Sequence, residues 1–243
     1  MKNWKQAFLL AKFELRHSKF ALLTLGILLI LYVYFIADSA SAYLGEGYVL
    51  FDPFFLIVIG LTPVWVRPKD FQLQKIANGL QVNPYFVTLH QLPIPKEVLI
   101  KNRLAIYYMY SVPFNTLFFT LIYVFSDAIQ SMLTLPQYAA FSFIWISFGI
   151  YWGSVYAVTD VGEATKKSTF KSYVYMFLFL VPIVVGMVIL HKYSGHGVIY
   201  WSMILAKQWP LLASILSVIA TYISTIYWIR YAHKIMKRID YSN

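Results

Sequence analysis

The sequence predicts an all-α polytopic membrane protein with six transmembrane helices and both termini in the cytoplasm. Three observations support this class: a mean hydropathy of +0.63, a charged fraction of only 12%, and the placement of the basic residues. Eighteen of the twenty Lys and Arg residues fall in four clusters, at residues 2–19, 67–103, 166–171 and 230–238. Long apolar runs separate these clusters. Basic residues collected in every second connection indicate the cytoplasmic side of a membrane.

Composition also limits the partners that the chain can have. The net charge of +10 could suggest nucleic acid, but the basic residues lie beside apolar runs and form no separate stripe with interleaved aromatics. We therefore expect membrane lipid, and no nucleic acid, as a partner. The absence of cysteine excludes a disulfide framework, an iron–sulfur site and a thiol nucleophile. No internal repeat or low-complexity linker divides the chain, so residues 1–243 are predicted to form a single transmembrane domain.

The first element, residues 1–19, is predicted to be an amphipathic helix on the membrane surface. At about 100° per residue, one arc of this helix contains Trp4, Phe8, Ala11 and Leu15, and the neighbouring arc contains Lys5, Lys12, Arg16 and Lys19. This arrangement places apolar side chains toward acyl chains and ammonium groups toward anionic headgroups. The alternative is that the charges only form the positive flank of the first span.

Apolar runs within residues 20–230 predict the six-span bundle, and residues 231–243 are predicted to be a cytoplasmic tail. The predicted spans are residues 20–37, 52–66, 104–125, 138–158, 173–190 and 211–229. A short polar loop, residues 38–47, joins the first two spans outside. Span 2 opens with Asp52 and Pro53, a pattern typical of an N-cap followed by proline in the first turn. At about 14 residues it is short, so an earlier start, little tilt and a break at Pro63 stay open.

The outer segment before span 6 is also unusual. Residues 198–206 form an apolar run that is too short to cross a bilayer, and we predict that it is either interfacial or re-entrant. His191 and His196 precede this run. No further ligand type lies near them in the sequence, so ordinary loop histidines are favoured over a metal site.

The predicted spans lack the side chains that membrane enzymes and ion-coupled carriers use. The central turns of spans 1, 3, 4, 5 and 6 contain no Asp, Glu, Lys, Arg or His. The chain also has no phosphate-binding glycine loop, because no glycine pair precedes Lys167 and Ser168 at the required spacing. We therefore expect no catalytic residue, no metal and no cofactor on this chain. Energy for transport against a gradient would have to enter through a cytoplasmic partner.

That conclusion directs attention to the long cytoplasmic loop between spans 2 and 3. Pro95 sets φ for a helix start, so residues 96–101 are predicted to form a short helix that runs into span 3. The segment reads Leu92, Pro93, Ile94, Pro95, Lys96 and Glu97, followed by Val-Leu-Ile-Lys. It resembles the coupling helix of ABC transporter permeases of the type-2 exporter class, in which a Leu-Pro-Ile/Val-small-basic-Glu-Ile/Val pattern precedes a lysine before the third span. The layout of surface helix, six spans and outer segment before span 6 is also similar.

The resemblance implies the transmembrane subunit of an ATP-driven exporter in a bacterial plasma membrane. Its partners would be a second permease copy and cytoplasmic ABC ATPase subunits that carry ATP and Mg²⁺ and contact residues 92–97. An uncharged interior suits a hydrophobic or amphipathic cargo, such as a peptide. A non-transporting membrane scaffold and a channel or secondary carrier are the alternatives. An ATPase that copurifies with the chain would distinguish the exporter from both.

Span 4 carries small residues at four-residue spacing, namely Gly149, Gly153 and Ala157. Such a ridge permits close helix approach in membranes, so we predict that it packs against another span of the same chain. A contact between two permease copies is the alternative.

Aromatic residues, which make up 19% of the chain, also fall within the spans. Lipid-facing bulk is favoured for them over a pathway for apolar cargo.

Overall fold

The computed structural model describes residues 2–75, 81–162 and 169–239, and it is mostly helical, at 85%. The predicted basic cluster 166–171 and the end of the predicted tail, residues 240–243, lie partly or wholly outside the described residues. The helices are α1 (Lys2–His17), α2 (Lys19–Glu46), α3 (Phe51–Gly60), α4 (Thr62–Trp65), α5 (Pro84–His90), α6 (Lys96–Phe125), α7 (Asp127–Met132), α8 (Leu135–Thr159), α9 (Thr169–Ser194), α10 (Val198–Gln208) and α11 (Pro210–Met236). A 3₁₀ turn (Lys69–Phe71) and a two-stranded antiparallel hairpin, β1 (Gln74–Lys75) and β2 (Gln81–Val82), precede α5.

Four helices of the described chain, α2, α6, α8 and α11, are long and apolar enough to cross a membrane. Two shorter apolar helical stretches, Phe51–Gly60 and Val181–Ser194, fall where spans 2 and 5 are predicted. The mostly helical fold is therefore confirmed, and the four long apolar helices indicate a membrane protein. That the chain crosses the membrane six times stays a prediction.

Several predicted boundaries differ from the helices that form. The segment predicted as an outer loop, residues 38–47, continues α2 almost to its end, and α2 spans 28 residues or about 42 Å. That length exceeds the hydrocarbon thickness of about 30 Å, so α2 is more than long enough to cross a bilayer. α2 ends because Gly47, at φ 70°, adopts the left-handed conformation and donates its N–H to the carbonyl of Tyr43. At the other end of the chain, α11 continues to Met236, well into the predicted tail.

Span 2 is interrupted. Of the three alternatives left open by the sequence, the break at Pro63 is therefore the one that forms. α3 ends at Gly60 and α4 begins at Thr62, with Pro63 in its first turn. Proline lacks a backbone N–H and its ring clashes with the carbonyl four residues earlier, so the helix cannot continue through this position without a kink. α3 alone, at 10 residues, rises only about 15 Å.

Aromatic rings fill the centre of the bundle. Phe55 of α3 meets Trp145 of α8 edge-on, with ring centroids 5.2 Å apart, and Phe119 of α6 meets Phe141 of α8 edge-on at 6.0 Å. All four side chains are buried. Edge-to-face packing adds to the stabilisation from the buried apolar area. These rings therefore form the packed core, so the prediction that the aromatic residues of the spans mainly face lipid is wrong for them. Tyr151 of α8 is exposed, as that prediction expects.

α1 lies along α6, and its buried side coincides only in part with the predicted apolar arc, of which Ala11 is fully buried and Trp4 and Leu15 are partly buried. Ala7, Ala11 and Glu14 have no exposed surface, whereas Phe8 is 41% exposed. The two alanines are short enough to let the backbones of α1 and α6 approach each other closely. The basic arc of α1 remains exposed at Lys5, Lys12 and Arg16. The difference arises because close helix packing selected the small side chains rather than the large apolar ones.

The six-crossing topology is tested by cysteine labelling, because the chain has no native cysteine. A cysteine at Ser41 is expected to react with an impermeant maleimide in intact cells. Cysteines at Asn78 and Thr165, which lie outside the described residues, are expected to react only after permeabilisation. Labelling of Thr165→Cys in intact cells would overturn the predicted orientation.

Candidate functional site

The turn between α5 and α6 lies at the end of the bundle that the sequence predicts to be cytoplasmic. Leu92 is 50% exposed, and Pro93, Pro95 and Lys96 are also exposed. Only Ile94 turns inward, where it packs beside the buried cluster that contains Val82, Phe86 and Leu99. We call residues 92–96, of which all but Ile94 are exposed, the cytoplasmic tip, after the side of the membrane that the sequence predicts for them.

The cytoplasmic tip is continuous with a long helix. Pro95, at φ −58° and ψ 134°, is the N-cap residue of α6, as predicted for a helix start after this proline. The predicted short helix is therefore not a separate element, since it forms the first turns of a 30-residue helix that includes span 3. The short helix that does precede the tip is α5, which the sequence reading did not predict. α5 starts after Asn83, whose side chain accepts a hydrogen bond from the N–H of Phe86.

Glu97, the last residue of the predicted contact segment, is engaged within the chain. Its Oε2 accepts a hydrogen bond from Asn3 Nδ2 at 2.9 Å, and its Oε1 forms an ion pair with Lys101 one turn later. The Lys101 ammonium in turn lies 5.5 Å from the centre of the Trp4 ring. Of the two charged residues in the predicted contact segment, Lys96 is thus exposed, whereas Glu97 holds the N-terminal end of α1 against α6.

Two turns further along α6 lies a buried cluster of four charged side chains, Glu14, Arg67, Arg103 and Asp160. Arg103 Nη2 donates to Glu14 Oε2 at 2.8 Å. Arg67 binds Asp160 through two hydrogen bonds, Nη1 to Oδ2 at 2.6 Å and Nη2 to Oδ1 at 3.3 Å. Arg103 Nη1 lies 3.8 Å from Asp160 Oδ2, so Asp160 lies between the two guanidinium groups. The two arginines and two carboxylates have no net charge when both acids are ionised.

The charge cluster joins four separate parts of the chain. Glu14 is on α1, Arg67 follows α4, Arg103 is on α6, and Asp160 follows the last residue of α8. Asn102 supports this arrangement, because its Nδ2 donates to the Ala7 carbonyl at 3.2 Å and its Oδ1 accepts from Arg103. The cluster therefore ties α1 to the segment of α6 that begins at the cytoplasmic tip.

The four charges are strongly desolvated, since no side chain in the cluster is more than 5% exposed. Burial raises the pKa of the Glu14 carboxyl, and this effect exceeds the opposite effect of Arg103 and Arg67. Ion pairs at such low exposure are costly to break, because removing one partner leaves a buried charge uncompensated.

Sequence reasoning missed this cluster. Arg67 and Arg103 were assigned to the positive cytoplasmic flanks, and their acidic partners lie 93 and 89 residues away in the chain. One local signal was available. Glu14 follows Ala7 and Ala11 at helical spacing, which places a carboxylate on the small-residue side of α1. A carboxylate on a packing face indicates a buried cation on the facing helix.

The small residues of α8 lie against α6 and α3. A Cβ atom built at Gly153 would overlap the Tyr107 ring of α6, and one at Gly149 would come within 2.8 Å of Asn115 Nδ2 and 3.1 Å of Ile59. Tyr107 Oη also donates to the Gly149 carbonyl at 2.9 Å. Ala157 is buried in the same cluster as Tyr107. The structure thus places the predicted packing residues between helices of one chain.

At the outer end, Asp52 caps a helix other than its own. The sequence pattern predicted Asp52 as the N-cap of span 2, but α3 begins one residue earlier, at Phe51. The Asp52 carboxylate instead accepts hydrogen bonds from the backbone N–H groups of Val198 and Ile199, at 2.7 and 3.3 Å, and from Tyr43 Oη at 2.7 Å. The outer apolar run is therefore a helix, α10, whose start is held by the ends of α2 and α3.

Among the residues that the structure describes, no group of three or more His, Cys, Asp or Glu side chains could hold a metal ion. His196 instead stacks on the Tyr200 ring, with centroids 3.8 Å apart.

A groove of about 370 Å³ lies between α8, α10 and α11. Its lining is apolar, as at Phe148, Leu205 and Leu216, apart from a few polar groups such as the Ser147 and Ser217 hydroxyls.

Comparison of the chain with models of protein families, with curated proteins and with solved structures gave no match.

Proposed function

We propose that the chain is the transmembrane subunit of an ATP-driven ABC exporter and receives energy from separate ATPase subunits at the cytoplasmic tip. The observation that carries this proposal is the continuity of the exposed tip, through Pro95, with a 30-residue helix that is long and apolar enough to cross the membrane. A force applied to Lys96 would act directly on α6. A flexible linker at this position would dissipate such a force.

The contacts below the tip extend this mechanical path. Glu97, Asn102 and Arg103 hold α1 against α6 through polar contacts with Asn3, the Ala7 carbonyl and Glu14. Arg103 also faces Asp160 at the end of α8, which binds Arg67 beyond span 2. Movement of the tip would therefore reach the cytoplasmic ends of α6, α8 and the second span together.

Six crossings, both termini in the cytoplasm and a second permease copy complete the proposed assembly. ATP and Mg²⁺ would be bound by the partner ATPases, because this chain has no phosphate-binding loop. A hydrophobic or amphipathic cargo such as a peptide agrees with the apolar groove between α8, α10 and α11. A bacterial plasma membrane is the proposed location.

The tip assignment is tested with two variants, Leu92→Arg and Lys96→Glu. Both side chains are exposed, so the variants are expected to reach the membrane and unfold at the same temperature as the wild type. Lys96→Glu inverts a charge, and Leu92→Arg places a charge at an apolar position. At a docking surface such a change can weaken the free energy of association by several kcal/mol. We expect co-elution with a candidate ABC ATPase to fall by about tenfold or more, together with ATP hydrolysis that depends on the permease.

Lys237→Glu is the matched control, since it makes the same charge change at an exposed position beyond the end of α11. It is expected to keep full co-elution. Glu97→Arg is a less specific variant, because it also removes the contacts with Asn3 and Lys101. Equal ATPase binding by Lys96→Glu, Leu92→Arg and the wild type would reject the tip as the docking site. Binding of no ATPase by the wild type would favour the scaffold alternative.

A further inference from the structure

The two acids in the charge cluster are compensated unequally. Asp160 receives both Nη groups of Arg67 and has Arg103 at 3.8 Å. Glu14 receives one hydrogen bond, from Arg103 Nη2 to its Oε2. Its other oxygen, Oε1, is buried and has no hydrogen-bond partner among the described residues. A buried carboxylate oxygen without a donor is costly when ionised, and the same oxygen can hold a proton without losing the Arg103 bond.

The surroundings of Glu14 favour a proton on this residue. Asp160, by contrast, lies beside two guanidinium groups. Glu14 is desolvated, has only one short contact with a cation and faces a second carboxylate, and burial raises its pKa. The titratable and charged groups that face Glu14 from the helices packed around it are Arg67, Tyr85, Arg103, Tyr110 and Asp160.

We propose that Glu14 is a proton-binding site and that its protonation tightens the contact between α1 and α6. If α1 separated from α6, Glu14 would enter water and regain the ordinary affinity of a carboxylate for protons. An acid that binds its proton more tightly in one conformation stabilises that conformation as the pH falls. The α1–α6 contact therefore bears the full cost of the buried charge at high pH. It gains stability as the pH falls through the raised pKa of Glu14 toward the reference value of 4.5.

This inference does not depend on the proposed transport function, because it concerns the isolated chain. It makes α1 a pH-sensitive part of the cytoplasmic end. The exposed basic arc, at Lys5, Lys12 and Arg16, is held more firmly in place under acidic conditions than under alkaline ones.

The first measurement is infrared spectroscopy of the purified full chain in lipid nanodiscs, with ¹³C-labelled glutamate. The chain contains four glutamates, at positions 14, 46, 97 and 163. We expect a protonated glutamate carboxyl band to persist to a pH above the ordinary glutamate pKa of about 4.3. The band is expected to be absent in Glu14→Gln and present in Glu97→Gln. Absence of the band from the wild type, or its persistence in Glu14→Gln, would overturn the proposal.

The second measurement is thermal unfolding of the same three proteins at several pH values. Glutamine keeps an oxygen for Arg103 without the buried negative charge. We expect the unfolding temperature of Glu14→Gln relative to that of the wild type to be highest at alkaline pH, and to fall by about 2–4 °C as the pH falls, because only the wild type gains stability from the proton. Glu97→Gln is the control with the opposite sign. Glu97 pairs with Lys101 only when it is ionised, so this variant loses stability relative to the wild type at alkaline pH and not at acidic pH. A gap between Glu14→Gln and the wild type that does not change with pH contradicts the inference.

The third measurement tests the link to α1. Amide hydrogen exchange in α1 is compared with exchange in α11 of the same molecule, so that the intrinsic pH dependence of exchange cancels. The α1 to α11 rate ratio is expected to fall on acidification in the wild type and to stay constant in Glu14→Gln. A constant ratio in the wild type would show that protonation of Glu14 does not affect the contact. If Glu14→Gln fails to fold, the infrared band and the rate ratio of the wild type still decide the question.

Discussion

Gly153→Ala is expected to destabilise the folded chain strongly, although it adds only one methyl group. A Cβ atom at this position overlaps the Tyr107 ring, which is buried and fixed by its hydrogen bond to the Gly149 carbonyl. Forcing extra atoms into a packed interior costs about 1–3 kcal/mol and sometimes more. We expect a loss at or above the top of that range, because both helix backbones would have to separate. Thermal unfolding in detergent measures it.

Gly26→Ala is the matched control for this variant. A Cβ atom at Gly26 meets no atom within 4 Å in the described part of the chain, so alanine should stabilise α2 through its higher helix propensity. The double variant Gly153→Ala/Tyr107→Leu removes the ring from the overlap and should recover part of the loss. Unchanged stability of Gly153→Ala would show that α6 and α8 do not pack as described.

Arg67→Met is expected to lower the free energy of unfolding by about 3–5 kcal/mol, since it leaves the Asp160 carboxylate buried without its main partner. The remaining cation, Arg103, lies 3.8 Å from Asp160 and is already bound to Glu14. Because an apolar pair of similar volume can replace a buried ion pair at little cost, Arg67→Met/Asp160→Leu should recover most of the stability. Denaturant unfolding in mixed micelles measures both variants.

Lys101→Met is the control, because it removes a cation from a pair whose carboxylate is 46% exposed. Its effect should be much smaller, since exposed ion pairs contribute little. Equal effects of Arg67→Met and Lys101→Met would indicate that water reaches the charge cluster. In that case the unequal compensation of Glu14 and Asp160 would also lose its basis.

The sequence by itself determined the membrane class and the approximate positions of the apolar helices. Hydropathy and helix periodicity are local properties, so a window of about 20 residues is sufficient to detect a span. The proline after residue 94 likewise predicted where α6 begins, because proline restricts its own φ. Small residues at four-residue spacing indicated the side of α8 that permits close packing.

Boundaries were less well determined. The polar residues after Ala37 suggested a loop, yet α2 continues to Glu46, because a helix satisfies its own backbone hydrogen bonds whether or not lipid surrounds it. Asp52 was placed correctly beside a helix start, but the helix that it caps is α10, 146 residues later. Local sequence indicates that a carboxylate suits a helix N-terminus, and only the packing of the outer ends decides which N-terminus is within reach.

The choice of partners in the charge cluster was decided by the tertiary structure. The sequence contains Arg67 and Arg103 among many cytoplasmic cations, and nothing local separates a membrane-flanking arginine from one that is buried against an acid. Ala7 and Ala11 let α1 approach α6 closely, and that approach brings Glu14 to Arg103, 89 residues away. The energy of such a pair depends on distance and desolvation. Both are properties of the packed chain rather than of any segment of its sequence.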